Sequence, residues 1–261
     1  METIPVTQFL RISLKKQILH FMLKSNRIIQ SLWVKGTLKS LQRLCIKSFL
    51  DNGHEFHLYT YNPDINAPTG TVIKDAKEII ANEKVFLDSR GTLACFSDWF
   101  RYELLYEKGG WWVDADQLCL KAFDFDSDYV FSSEHAGGTF RKVNTNAIKV
   151  PPHSDIISYC LRFVRNSGSL DGSTWGIMGP DLFNSYFEKY REHNVYVHAP
   201  HVFCPVPYYY YYLLFNDILI DFTEKTYGVH FWNEMLRINK IDVDIRFPEN
   251  SFYERSLSRL Q

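Results

Sequence analysis

The sequence predicts an α/β fold, a single Rossmann-like domain with a mixed sheet flanked by helices and an N-terminal helical extension. Three observations carry this. The chain opens strand, helix, strand between Arg27 and Thr60. A largely apolar helix then leads through a double glycine into a Trp-Trp-Val strand. Finally, 46% of the 261 residues are hydrophobic and 16% aromatic, enough to bury one core of ordinary domain size.

The elements follow in order. Residues 8–25 read as a helix with Leu14, Ile18, Phe21 and Met22 on one face and Arg11, Lys15 and Lys16 elsewhere. Five basic residues and no acid lie between Arg11 and Arg27. Two readings stay open for this helix: a solvated element packed on the domain, or peripheral attachment to anionic lipid. Residues 27–34 form the first expected strand, 37–50 a helix, and 55–60 a second strand with alternating apolar positions. A turn-rich loop spans 62–70. Helices are expected near 75–82 and 92–107, the second ending on Lys108 and a glycine stop at Gly109-Gly110. Residues 111–113 read as a short buried strand. Beyond it the pattern gives strands near 129–132, 147–150, 195–198 and 227–232, and helices near 155–164 and 180–191. The boundaries drawn are a basic extension over 1–26, the main domain over 27–235 and a C-terminal tail over 236–261 packed on it.

Charge narrows the function. Lys plus Arg number 29 against 30 for Asp plus Glu, a formal net charge of −1. No global basic field exists to hold a nucleic-acid backbone, so no nucleic-acid partner is expected. The 42 aromatic residues (20 Phe, 16 Tyr, 6 Trp) suit a core and a cleft for flat ligands such as bases or sugar rings. Five scattered cysteines form no C-x-x-C pair and read as reduced core residues. No uninterrupted apolar run reaches membrane-spanning length, and the expected location is the cytoplasm.

The segment from Phe96 to Asp116 carries the chemistry. Leu93, Phe96, Phe100 and Leu104 repeat at helical spacing while Cys95, Trp99, Tyr102 and Tyr106 cover a second face, so this helix is largely buried. Asp98 and Arg101, three residues apart, project from one side of it. Buried charges persist when paired, which fits either a structural bridge or a ligand site. Asp114 and Asp116 follow a strand and flank Ala115. In extended backbone such residues share a face with Cα atoms about 6.6 Å apart, within reach of one divalent cation. Carboxylate ligation suits Mg²⁺ or Mn²⁺, whose remaining ligands usually come from water and substrate phosphates.

The run Ser97-Asp98-x-x-Arg101-Tyr102-x-x-Leu105-x-x-x-Gly109-Gly110-x-x-x-Asp114-x-Asp116 resembles the signature of glycosyltransferases with a DXD sugar-binding region. That family includes initiating mannosyltransferases, α-1,4-galactosyl- and N-acetylglucosaminyltransferases, bacterial capsule and lipopolysaccharide enzymes, and the catalytic domains of clostridial glucosylating toxins. Weaker similarity extends to Ile28–Trp33, to Asn146 before Pro151-Pro152-His153, to Gly176-x-x-Gly179-Pro180 and to His230-x-Trp232.

The resemblance implies a GT-A fold, a nucleotide-diphosphate sugar donor (a UDP-sugar favoured over GDP-mannose), Mn²⁺ or Mg²⁺, and transfer with retention. The acceptor would be a glycan or lipid-linked glycan, in bacterial surface polysaccharide synthesis. It further implies a catalytic set of Asp98, Arg101, Asp114 and Asp116. Trp33 would stack on the base, the alternative being a core tryptophan, joined around the donor by Asp98, Arg101, Asp114 and Asn146; the metal would sit on Asp114, Asp116 and His230, the last reading equally as a strand histidine satisfied by the backbone. Trp111-Trp112 departs from the family's aliphatic-plus-Tyr pair. Competing readings are a metal-dependent phosphohydrolase, a glycoside hydrolase using two carboxylates, and a non-catalytic sugar-binding protein on a transferase fold. Tyr208–Tyr212 could stack an acceptor glycan or fill the core with alternate rings.

Overall fold

A computed structural model describes residues 26–137 and 140–259. The predicted basic helix at 8–25 lies outside them. Strand β1 (Ile28–Trp33) is followed by helix α1 (Ser40–Asp51), β2 (Glu55–Thr60), β3 (Val72–Asp75), α2 (Ala94–Lys108) and β4 (Gly110–Val113). Then come β5 (Gln117–Cys119), β6 (Val130–Gly137), β7 (Phe140–Val150), α3 (Asp155–Asn166) and α4 (Pro180–Lys189). Strand β8 (Gly228–His230) and helices α5 (Asn233–Ile238) and α6 (Phe252–Arg259) complete the order.

Six strands form one sheet in the order β3-β2-β1-β4-β7-β6. β3, β2, β1 and β4 run parallel, whereas β7 is antiparallel to β4 and β6 antiparallel to β7. This is the expected mixed α/β sheet with flanking helices. After β1 the chain builds outward to β2 and β3, then returns to place β4 on the other flank of β1. The strand order therefore reverses between β1 and β4, and in open α/β sheets ligands bind at the carboxyl ends of strands beside such a reversal. Trp33 ends β1, and Asp114 follows β4 directly.

Two apolar clusters cover the two faces of the sheet, and the Trp111-Trp112 pair shows how the strand period divides them. Successive strand residues point to opposite faces. Trp111 packs with Phe123, Phe125 and Phe203 in one cluster, while Trp112 joins Phe100 and Leu104 in the other, and both indoles are buried. Entry into β4 depends on Gly109 at φ 60, where a Cβ would stand 2.5 Å from the Pro152 nitrogen. No larger residue fits there. All five cysteines are free and buried.

Two expected elements differ. Residues 75–82 hold no α-helix: β3 ends at Asp75, whose carboxylate accepts from the Lys77 N–H at 3.0 Å, and 3₁₀ turns follow over Ala76–Glu78 and Asn82–Lys84. Only Ala76 and Ile80 are buried in that stretch, too few apolar positions to hold a helix against the sheet. The strand expected at 195–198 is largely a 3₁₀ helix over Arg191–Tyr196, with Val195 79% exposed. Only Val197 bridges to the sheet, beside Phe131. No described helix is long and apolar enough to cross a membrane.

Candidate functional site

Helix α2 is buried on two sides, so Asp98 and Arg101 on its inner surface are withdrawn from solvent. Arg101 joins the two halves of the site. One Nη donates to Asp98 Oδ1 at 2.5 Å and the other to Asp114 Oδ1 at 2.7 Å. Its guanidinium also lies 4.9 Å from the centre of the Trp112 ring, and the Trp112 indole N–H donates to Asp114 Oδ1 at 2.9 Å. Asp98 and Asp114 thus each have Oδ1 fixed by protein donors. Among the described residues neither Oδ2 has a hydrogen-bonded partner.

Electrostatics at Asp98 are unequal. Burial pushes its carboxyl up to about 6, outweighing the opposing charge of Arg101, and Asp114 adds to the upward push. A guanidinium divided between two carboxylates compensates neither in full. Arg101 itself is held above its ordinary value: burial opposes its charge, but Asp114 and Asp98 together prevail.

The second half lies two residues on. Strands β5 and β8 pair antiparallel with Gln117 opposite His230, which brings His230 to the D-x-D turn. Gly228 permits this pairing, since a Cβ there would meet Gln117 Nε2 at 2.3 Å. His230 Nε2 stands 3.2 Å from Asp116 Oδ2, and the Asn233 N–H donates to the same oxygen at 2.6 Å. That N–H is aimed by Trp232, which adopts left-handed φ/ψ of 58° and 54°. Strain in a bulky residue persists only where its surroundings hold it, and here the indole N–H donates to the Val206 carbonyl at 2.8 Å.

Burial opposes the charges of both Asp116 and His230, yet their mutual attraction and hydrogen bond prevail. The Asp116 pKa lies below its ordinary value and that of His230 well above. Among the described residues Arg101 Nε is buried without a partner, whereas His230 also lies beside the Cys204 thiol, which helps to hold its pKa up.

Asp114, Asp116 and His230 offer ligand atoms that all lie within 4.8 Å of one another. Two carboxylates and an imidazole form a donor set suited to a divalent ion such as Mn²⁺.

Of the other residues singled out from the sequence, Trp33 is half-buried, its indole N–H donating to the Gly36 carbonyl at 3.3 Å. Asn146 is fully buried behind the turn. Its backbone carbonyl accepts from the Asp114 N–H at 2.8 Å and its side-chain amide donates to Gln117 Oε1 at 2.5 Å. It braces the D-x-D turn from beneath. Two site features escape a sequence reading. Trp112 reads as a core residue, although its N–H holds Asp114. Glu134 on β6 is buried, and burial raises its pKa against the charge of His230, a bond from Asn144 and the charge of Lys142. A strand expected at 129–132 stops short of Glu134, and the polar run Ser132-Ser133-Glu134 offers no alternation that would extend it.

Comparison with known proteins adds one family-model match over part of the chain. Residues 150–259 match the family model described as "Alpha 1,4-glycosyltransferase conserved region". The matched stretch begins after the Asp114–Asp116 pair and contains His230. No curated protein matches the chain. Among solved structures, the PaToxG glycosyltransferase is similar over 72% of this chain and 82% of its own, at 16% identity and a TM-score of 0.45. A transferase mutant is similar over 67% of this chain and 92% of its own, at 10% identity and a TM-score of 0.42.

Proposed function

We propose that this chain is a glycosyltransferase of the DXD type, metal-dependent and retaining; the match of residues 150–259 to the α-1,4-glycosyltransferase region and the Asp98-to-Asp116 run support this reading. It moves a hexose from a nucleotide-diphosphate sugar to a hydroxyl of a glycan or glycolipid, in bacterial surface polysaccharide synthesis. A UDP-sugar is the favoured donor and GDP-mannose the alternative. The observation that carries the reading is the placement of Trp33, Asp114 and Asp116 at the carboxyl ends of β1 and β4, where the strand order reverses, with Arg101 tying Asp114 to Asp98.

Asp114, Asp116 and His230 would hold Mn²⁺ or Mg²⁺. Bound there, the ion would stabilise the negative charge that develops on a leaving diphosphate. The protein's own residues divide the rest. Trp33 offers an indole face to the base. Arg101 fixes one oxygen each of Asp98 and Asp114, leaving Asp98 Oδ2 as an acceptor for a hydroxyl of the donor sugar and Asp114 Oδ2 for the metal. Preorganised polar contacts of this kind need no rearrangement as the bond breaks. Asn146 keeps the D-x-D turn in place and touches the donor only through it. Support for retention comes from the family resemblance of the Asp98-to-Asp116 run; so does the choice of a surface glycan as acceptor. The basic segment ahead of Arg27 supports contact with anionic membrane, where a lipid-linked acceptor would reside, and a cytoplasmic location on its inner face.

The test is a donor-hydrolysis panel of UDP- and GDP-sugars with and without Mn²⁺. Release of the nucleotide diphosphate from one donor, abolished by chelator and restored by Mn²⁺, is expected. Full turnover in chelator would remove the metal from the mechanism.

A further inference from the structure

The tyrosine run Tyr208–Tyr212 is not a strand, and burial alternates along it, with Tyr211 in the core and Tyr208, Tyr210 and Tyr212 facing outward. It forms two 3₁₀ turns over Tyr208–Leu214 that meet in a kink at Tyr210, whose φ of −115° and ψ of 17° are not helical. Tyr211 and Leu214 are buried, while Tyr208, Tyr210 and Tyr212 are 38%, 48% and 40% exposed. The rings form a connected series: Tyr208 and Tyr209 lie 5.2 Å apart, Tyr209 and Tyr210 4.8 Å, and Tyr210 and Tyr212 6.2 Å. At its inner end Tyr208 stands 6.1 Å from Trp232, whose ring lies 4.2 Å from that of His230. A series of aromatic rings packed edge to face therefore connects three partly exposed tyrosines to the candidate metal site.

We infer that this row is the acceptor subsite, and that its ligand is a neutral oligosaccharide of at least two sugar rings; the assignment to the acceptor rests on the glycosyltransferase reading above. The chemistry selects that class. Tyrosine presents an apolar face to the C–H side of a pyranose and a hydroxyl to its polar rim. Exposed apolar rings grouped in one place mark interaction sites more often than solvent-facing surface. No Lys, Arg, Asp or Glu occurs from Val202 to Asn216, so neither a phosphate group nor an anionic lipid surface finds a counter-charge on this segment. Several rings in series exceed the length of one sugar, which favours a disaccharide or longer chain with its reacting end at Trp232 and His230.

Saturation-transfer NMR with lactose, cellobiose and chitobiose, and with methyl glycosides as single-ring controls, tests the inference without donor or metal. Its failure and failure of the donor reading are thus separate results. At least one disaccharide is expected to bind more tightly than its single-ring control. The triple variant Tyr208→Ser, Tyr210→Ser, Tyr212→Ser should weaken that binding by about tenfold or more, the scale of a few aromatic contacts. The matching Phe variant should retain most of it. UDP and GDP affinities with Mn²⁺ should be unchanged in both, since these side chains are solvent-facing and outside the donor residues. Binding by none of the three disaccharides, or equal binding by parent and Ser variant, overturns the inference. So does a sugar-mass increment on these tyrosines after incubation with donor, which would make them the acceptor and not its platform.

Discussion

Gly179 lies against Asp98: a Cβ at Gly179 would stand 2.7 Å from Asp98 Oδ2 and 3.2 Å from its Cγ. Gly179 precedes Pro180 at the start of α4. Asp98 cannot swing aside freely, because its other oxygen is held by Arg101 at 2.5 Å. Gly179→Ala should therefore act through Asp98. A stability loss of about 1–3 kcal/mol is expected, as for other overpacking. The cycle Gly179→Ala with Asp98→Ala should be strongly non-additive in thermal melts. Additive losses would mean that the two residues do not press on one another.

Much of this site was legible in sequence, and the reason is spacing. Asp98 and Arg101 are one helical turn apart, and Asp114 and Asp116 lie on one short segment, so local geometry alone brings each pair together. The helix over Ala94–Lys108 and the strands before and after α1 were equally plain from their periodicity. What joins the pairs was not legible. The Arg101–Asp114 bond depends on the packing of α2 against β4, and Trp112 as a donor to Asp114 depends on which face of β4 it takes. His230 reaches Asp116 only through the β5–β8 ladder, two three-residue strands with little pattern of their own. The 3₁₀ segments over Ala76–Glu78 and Arg191–Tyr196 misled for a related reason: side-chain bonds from Asp75 and Asn194 hold them, against their apolar content.

Trp33→Ala should weaken nucleotide diphosphate binding by about 1–3 kcal/mol, the range for stacking a base on an aromatic side chain. The half-buried indole at the end of β1 can lose its ring with modest damage to the core it borders. Isothermal titration of UDP and GDP with Mn²⁺ decides the matter. Unchanged affinities in a folded variant would return Trp33 to packing alone.

The carboxyl of Asp98 gives stability a pH signature with a definite sign. Its folded value is pushed up to about 6 from 3.8, so between those values the native state holds a proton that the unfolded chain has released. Stability should fall as pH rises through that window, by roughly 3 kcal/mol at most. Asp98→Asn cannot ionise and should flatten the slope. Parallel urea titrations of parent and variant between pH 4 and 7 measure it; identical slopes would show that Asp98 ionises in the native state as readily as in the unfolded chain.

The last prediction separates the two acidic halves of the site. Asp116 bonds His230 and the Asn233 N–H, with no contact to Arg101, whereas Asp98 bonds Arg101 and lies on the helix side. Asp116→Asn keeps the shape and removes a charge from the donor set of Asp114, Asp116 and His230. Mn²⁺-dependent nucleotide binding and turnover should then fall together. Asp98→Asn leaves that set untouched, so nucleotide affinity with Mn²⁺ should hold while transfer drops by about 10²–10³, the usual result of losing a preorganised polar contact. The confounding effect is stability. Arg101 is 3% exposed, and stranding a buried charge can cost about 3–5 kcal/mol. Asp114 still faces Arg101 in the Asp98 variant, which should keep the guanidinium paired and the fold intact. Thermal melting of each variant comes first, then nucleotide titration, then single-turnover transfer. A folded Asp98→Asn that loses Mn²⁺-dependent nucleotide affinity as severely as Asp116→Asn, or that transfers sugar at the parent rate, would remove Asp98 from the donor-sugar contact.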